Sequence, residues 1–113
     1  MYIKEPNRNE IQIIRNEGCH IWQTAEKALK EALTEASLPK DYEIIVVKGN
    51  DQAQQYKFFG SPQITIDGVD IDPAAAKATQ FQTEGCRFYM WGGKMYEYPP
   101  EEMVLAALKK LVQ

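Results

Sequence analysis

Residues 10–33 read EIQIIRNEGCHIWQTAEKALKEAL, and a change of hydrophobic period inside this stretch decides the fold. Ile11, Ile13 and Ile14 form a short run that is apolar on both faces, which fits a strand in a sheet covered on both sides. Beyond Asn16-Glu17-Gly18 the apolar residues take helical spacing. Ile21, Ala25, Ala28, Leu29, Ala32, Leu33 and Ala36 make one stripe, and Gln23, Glu26, Lys27, Lys30, Glu31 and Glu35 are left for water. The spacing predicts a helix over about His20 to Ala36, closed by Leu38-Pro39. Cys19 stands at the join. A thiol at the first turn of a helix meets unpaired backbone N–H groups and the positive end of the helix dipole, which favour thiolate over thiol. Cys19 is therefore expected to begin the helix, partly accessible and reactive. Free cysteine is also among the most buried residue types, so a plain packing role stays open.

Outward from this stretch, YEIIVV at 42–47 is a second strand, which makes a βαβ unit with parallel strands and a right-handed crossover. DQAQQYKFF predicts a short helix with Asn50 as N-cap, stopped by Gly60-Ser61-Pro62. QITIDGVDID carries Ile64, Ile66, Val69 and Ile71 around Asp67-Gly68, the signature of a tight antiparallel hairpin. Pro73 to Lys77 suggests a helical turn, and CRFYMWGGKMYEY a second hairpin around Gly92-Gly93. A last helix starts at Pro99-Pro100-Glu101-Glu102, with Met103, Leu105, Ala106, Leu108 and Leu111 as its apolar face. The first nine residues read as a polar lead-in arm.

A chain of 113 residues that is 44% hydrophobic supports one core, and hence a single domain over residues 1–113. The formal charge of -3 and the lack of a Lys/Arg run argue against nucleic acid as partner. With no apolar stretch of membrane-spanning length and no secretory signal pattern in MYIKEPNRNE, a soluble, cytoplasmic protein without membrane partners is expected. Cys19, Cys86 and the single histidine, His20, cannot complete a zinc tetrad, so neither a metal nor any other cofactor is expected.

The order of elements, a βαβ unit with cysteine at the first helix start, a short second helix, a hairpin opened by proline and a C-terminal helix, resembles the thioredoxin superfamily over nearly the whole chain. PQITIDG at 62–68 is similar to the glutaredoxin hairpin, where the proline before the third strand is cis and lies beside the active-site cysteine. Gly18-Cys19-His20-Ile21-Trp22, Gly60-Ser61-Pro62-Gln63, Asp67-Gly68, Cys86-Arg87-Phe88-Tyr89 and Pro99-Pro100 together resemble small bacterial thioredoxin-like proteins, some labelled as related to alkylmercury lyases. The resemblance implies an α/β thioredoxin-like fold with a mixed central sheet flanked by helices. It also implies a cis Ser61–Pro62 bond, Cys19 as nucleophile, and Gly18, Trp22, Ser61 and Pro62 around the substrate. The backbone N–H and C=O of Ser61 would then pair with an extended peptide as an added strand.

This sequence departs from that pattern in ways that bear on function. Trp22 stands where a dithiol oxidoreductase carries its second thiol. His20 replaces the usual proline, and neighbours on a helix point to different faces, so a Cys19–His20 base pair is not expected. Asp70, Asp72 and Pro73 replace a glutathione-binding Gly-Gly-Asp, and such acids repel the carboxylates of that tripeptide. Because the return strand of the first hairpin leads back toward Cys19, Cys86 is expected near the same end of the molecule. There it serves either as a distant resolving thiol or as a small apolar residue under the aromatic hairpin.

The leading expectation is a thiol-based redox protein that exchanges with a thiol or disulfide of a protein or small molecule through Cys19, with Cys86 in support. The alternative is a non-catalytic binding module, in which Phe88, Tyr89, Trp91, Tyr96 and Tyr98 contact a partner; alternate aromatics packing the core is the plainer reading of the same residues. Organomercurial cleavage, with both thiolates on mercury and Asp67 or Asp70 delivering a proton, rests on family labels alone.

Overall fold

In the computed structural model, residues 9–112 are described; apart from Asn9, the expected lead-in arm lies outside them. The first strand, β1 (Ile11–Asn16), is central in a four-stranded sheet of order β2-β1-β3-β4. It runs parallel to β2 (Glu43–Val47), with Ile13 opposite Ile44 and Asn16 opposite Val47. On its other side it runs antiparallel to β3 (Gln63–Ile66), with Ile14 opposite Gln63. The double-sided apolar run has its physical cause here. Ile11 and Ile13 pack with Leu29, Leu33, Ile64, Ile66, Val104 and Leu108, while Ile14 faces the other way onto Val47, Ala53 and Phe58.

Helix α1 (Trp22–Glu35) buries Ala25, Ala28, Leu29, Ala32 and Leu33, the stripe expected from the spacing. It begins later than expected. Ile21 is its N-cap, and Cys19 precedes the helix in the loop, its N–H donating to the Asn16 carbonyl at 3.5 Å. At the other end Ser37 takes a positive φ, and the Leu38 N–H returns to the Leu33 carbonyl at 2.9 Å, satisfying a terminal carbonyl ahead of Pro39.

Helix α2 (Asn50–Tyr56) is shorter than the sequence suggested, and Gly49, not Asn50, is its N-cap. Lys57 adopts a left-handed conformation, and the Phe58 N–H donates back to the Ala53 carbonyl at 2.8 Å. This ends the helix early and turns the fully buried Phe58 into the core. Asn50, freed from capping, serves elsewhere.

Both hairpins form as expected. Asp67 and Gly68, each at positive φ, join β3 to β4 (Val69–Asp70), with Ile66 opposite Val69. A 3-10 turn over Pro73–Lys77 follows, with Asp72 accepting from the Ala74 N–H at 3.0 Å. Gly92 and Gly93 join β5 (Tyr89–Trp91) to β6 (Lys94–Tyr96) as a separate two-stranded ribbon.

Helix α3 (Glu101–Leu111) packs on α1 and buries Met103, Val104, Ala107 and Leu108, the last three in one cluster with Leu29, Ala32 and Leu33. Its buried face is therefore rotated from the one expected. Val104 and Ala107 point inward, Leu105 is half-buried and Ala106 is exposed. The architecture is α/β, with the mixed sheet carrying helices. Among the described residues no helix is long and apolar enough to cross a membrane.

Candidate functional site

Beyond the 3-10 turn the chain has no periodic apolar pattern until β5, and it crosses the C-terminal end of β1 as a strap over 81–87. Irregular backbone of this kind must find its hydrogen bonds outside regular structure, and here the partners come from distant segments. Gln54 donates to the Phe81 carbonyl at 3.3 Å, and the Gln82 N–H to the Phe58 carbonyl at 2.9 Å. Asn50 Oδ1 accepts from both the N–H and the hydroxyl of Thr83, at 3.3 and 3.2 Å. Asn16 Nδ2 reaches the carbonyls of Thr83 and Gly85 at 3.0 and 3.1 Å.

At Ser61 the strap makes a parallel β-bridge centred on Cys86. The Ser61 N–H donates to the Gly85 carbonyl at 3.0 Å, and the Arg87 N–H donates to the Ser61 carbonyl at 3.1 Å. The Ser61–Pro62 peptide is cis, as expected. The open edge expected beside it is not there: the backbone groups assigned to an incoming peptide are held by the protein's own strap. The packing is close, since a Cβ built on Gly60 would lie 2.7 Å from Arg87 Cγ and 2.9 Å from the Cys86 carbonyl carbon and oxygen.

The strap and the β1–α1 loop enclose an open cleft of about 500 Å³, lined by both Cys19 and Cys86 together with Asn16, Gly18, Val47, Lys48 and Thr83 to Gly85. Cys19 is half-buried, Cys86 is exposed, and both are free thiols. Of the residues expected at the site, Gly18, Cys19 and Cys86 thus meet on one cleft. Ser61 and Pro62 lie buried beneath the strap and do not line it. Trp22 also lies off the cleft, with the Arg15 guanidinium 4.7 Å above its ring.

Below the strap, Arg87 is only 3% exposed. Its guanidinium sits 4.4 Å from the Phe59 ring centroid and 4.7 Å from that of Tyr89, and it pairs with Asp70 at 2.6 Å and Asp72 at 3.7 Å. Burial works to lower its pKa, but Tyr89, the hydrogen bond and charge of Asp70, and Asp72 outweigh this and raise it, so Arg87 stays charged. Tyr89 is wholly buried and donates its hydroxyl to the Pro62 carbonyl. Burial pushes that hydroxyl far up; Arg87 opposes the shift, while Asp70, Asp72 and Cys19 add to it.

Among the aromatics of the second hairpin, Tyr89 is core, in line with the plainer reading that some of them pack inward; Phe88 is exposed, and Trp91, Tyr96 and Tyr98 are half-buried. Asp70 is committed to Arg87, and Asp67 accepts from the Glu10 N–H at 2.8 Å, at the opposite end of β1 from Cys19. Neither stands ready to deliver a proton beside the thiols. Sequence reasoning passed over Asn16 and the Arg87–Asp70 pair. The available signal was an asparagine at the end of a strand directly before the cysteine loop.

A family model for a domain of unknown function, DUF2703, matches residues 10–108. The chain belongs to this family. The DUF2703 match runs from the residue before β1 into α3 and takes in Asn16, both cysteines, the strap and the Arg87–Asp70 pair. No curated protein and no solved structure matches the chain.

Proposed function

We propose that this DUF2703 protein is a thioredoxin-like thiol-redox protein, in which Cys19 attacks a disulfide and Cys86 resolves the adduct. The observation that carries the reading is that these two thiols, far apart in sequence, line one cleft. The thioredoxin-like assignment is supported by a βαβ unit followed by an antiparallel hairpin in sheet order β2-β1-β3-β4, with a C-terminal helix against α1. In the first step the Cys19 thiolate attacks one sulfur of R–S–S–R, forming Cys19–S–S–R and releasing RS⁻. In the second the Cys86 thiolate attacks Cys19 Sγ, forming the Cys19–Cys86 disulfide and releasing the second RS⁻. The protein gives up two electrons and the substrate takes them, with the two thiol protons passing to the released thiolates through solvent. Cys86 on the strap supplies the second thiol whose usual place Trp22 fills.

The test is oxidation of the reduced protein with one equivalent of diamide, followed by non-reducing peptide mapping. An intrachain Cys19–Cys86 crosslink is the expected result. Cys19 and Cys86 both recovered as free or only intermolecularly linked thiols would overturn the reading.

A further inference from the structure

We infer that the cleft accepts small disulfides of zwitterionic, amino-acid-like thiols and excludes disulfides within extended polypeptide. The inference rests on the redox reading above and names its substrate class. Binding an extended peptide at the edge beside Pro62 requires the N–H and C=O of Ser61, and residue 61 has only one of each. Both are taken, by the Gly85 carbonyl and the Arg87 N–H. An incoming peptide would have to break these bonds to make equivalent ones, with no net gain in backbone hydrogen bonding. It would also have to dislodge a strap that Asn16 and Asn50 fasten and whose end, Arg87, is a buried charge paired with Asp70. Gly60 leaves no gap in which the strap could shift inward.

What stays open is the cleft beside the strap. Its volume of about 500 Å³ suits a small molecule. Its charged lining has both signs, with Lys48 positive and Glu17 and Glu84 negative, all three exposed. A ligand of single sign meets a like charge there, whereas a zwitterion finds a complement to each of its groups. The exchange on Cys19 is the first step given above, with R an amino-acid-like thiol and RS⁻ as leaving group.

The experiment uses the reduced full chain with three probes: L-cystine, neutral hydroxyethyl disulfide, and a disulfide-linked dimer of an extended, uncharged peptide. The rate of Cys19 adduct formation with each is normalised to that of N-acetylcysteine with the same probe. Cystine is expected to react about tenfold faster than the peptide dimer, roughly the effect of one net hydrogen bond lost on displacing the strap, and faster than hydroxyethyl disulfide. Asn16→Ala and Asn50→Ala, which release the strap from either side, should narrow the gap between cystine and peptide. Equal normalised rates for cystine and peptide, or a gap unchanged in both variants, would overturn the exclusion of polypeptide; equal rates for cystine and hydroxyethyl disulfide would overturn the charge preference. If no probe forms an adduct while diamide still produces the Cys19–Cys86 crosslink, this inference fails and the redox reading stands. If diamide produces none, the redox reading itself fails.

Discussion

Arg87 and Asp70 form a two-point ion pair in the interior, with Nη1 donating to Oδ2 at 2.6 Å and Nη2 donating to Oδ1 at 3.2 Å. The pair ties the end of the strap to the return strand of the first hairpin, and so fixes where Cys86 sits relative to Ser61. Removing one member of a buried pair leaves the other uncompensated. Asp70→Ala should therefore destabilise the fold by about 3 kcal/mol, at the low end for such a change because Asp72 remains near the guanidinium. Urea unfolding followed by circular dichroism measures it, and Asp70→Ala combined with Arg87→Met should recover part of the loss. A single variant as stable as the parent would show that the pair contributes nothing.

Gly60 is required by close approach. Its Cβ in Gly60→Ala would press on the Cys86 carbonyl and the stem of Arg87, neither of which is a free side-chain end. A cost of about 1–3 kcal/mol is expected from this overpacking, together with a changed rate of Cys86 alkylation by iodoacetamide as the strap is pushed outward. An unchanged alkylation rate would mean that the strap gives way without moving Cys86.

Asn16 holds two strap carbonyls through one amide, and among the described residues no other side chain is bonded to both. Asn16→Ala leaves the Thr83 carbonyl to water and the Gly85 carbonyl with the Ser61 N–H alone, so the strap should open locally before the rest of the protein unfolds. Glu84 is exposed at the centre of the freed segment. Cleavage after Glu84 by a glutamate-specific protease, under native conditions, should be faster in Asn16→Ala than in the parent, while the far-ultraviolet circular dichroism stays the same.

The α1–α3 seam carries a cost that depends on pH. A hydrogen bond with Glu31, then burial, then the charges of Glu31, Glu35 and Glu102 raise Glu101 above its ordinary value of 4.5. A carboxyl whose folded pKa is raised binds its proton more tightly when folded. It therefore supports stability below the unfolded value, and that support is lost as pH rises through the folded one. Glu31→Gln removes the opposing charge and leaves the acids at the start of α3 in place, where the helix dipole favours them. The variant should melt higher than the parent at neutral pH, with the difference shrinking as pH falls toward the ordinary glutamate range. A gain that is constant across that range would mean that the Glu31–Glu101 contact is not its source.

Tyr42 donates to Glu26 Oε2 at 2.6 Å, and burial together with this bond raises its hydroxyl well above the ordinary tyrosine value of 10.0. Both the Tyr42 and the Tyr89 hydroxyls should stay protonated in the folded protein through the range where exposed tyrosines ionise. Stability is then lost above that ordinary value, because the unfolded chain ionises first. Tyr42→Phe should lessen the loss between neutral and strongly alkaline pH, as read from thermal midpoints across the range.

Much of the scaffold was legible because it is written in local period. Ile11, Ile13 and Ile14 announce a strand buried on both faces, the stripe from Ala25 to Leu33 announces one helix face, and Asp67-Gly68 and Gly92-Gly93 supply the positive φ that their two hairpin turns require. A short sequence window can record these features because neighbours along the chain decide which side meets water. The exact faces were less legible: α3 turned Val104 inward in place of Leu105 and Ala106, since packing on α1 chooses among several apolar stripes. The strap was not legible at all. It has no period of its own, and its path is set by acceptors and donors on Asn16, Asn50, Gln54, Phe58 and Ser61, which come together only when the sheet has formed. By itself the sequence determined two thiols, a βαβ unit and two hairpins; the tertiary structure decided that Cys86 shares a cleft with Cys19 and that Ser61 is already paired, because hydrogen bonds between distant segments leave no trace in the local order of residues.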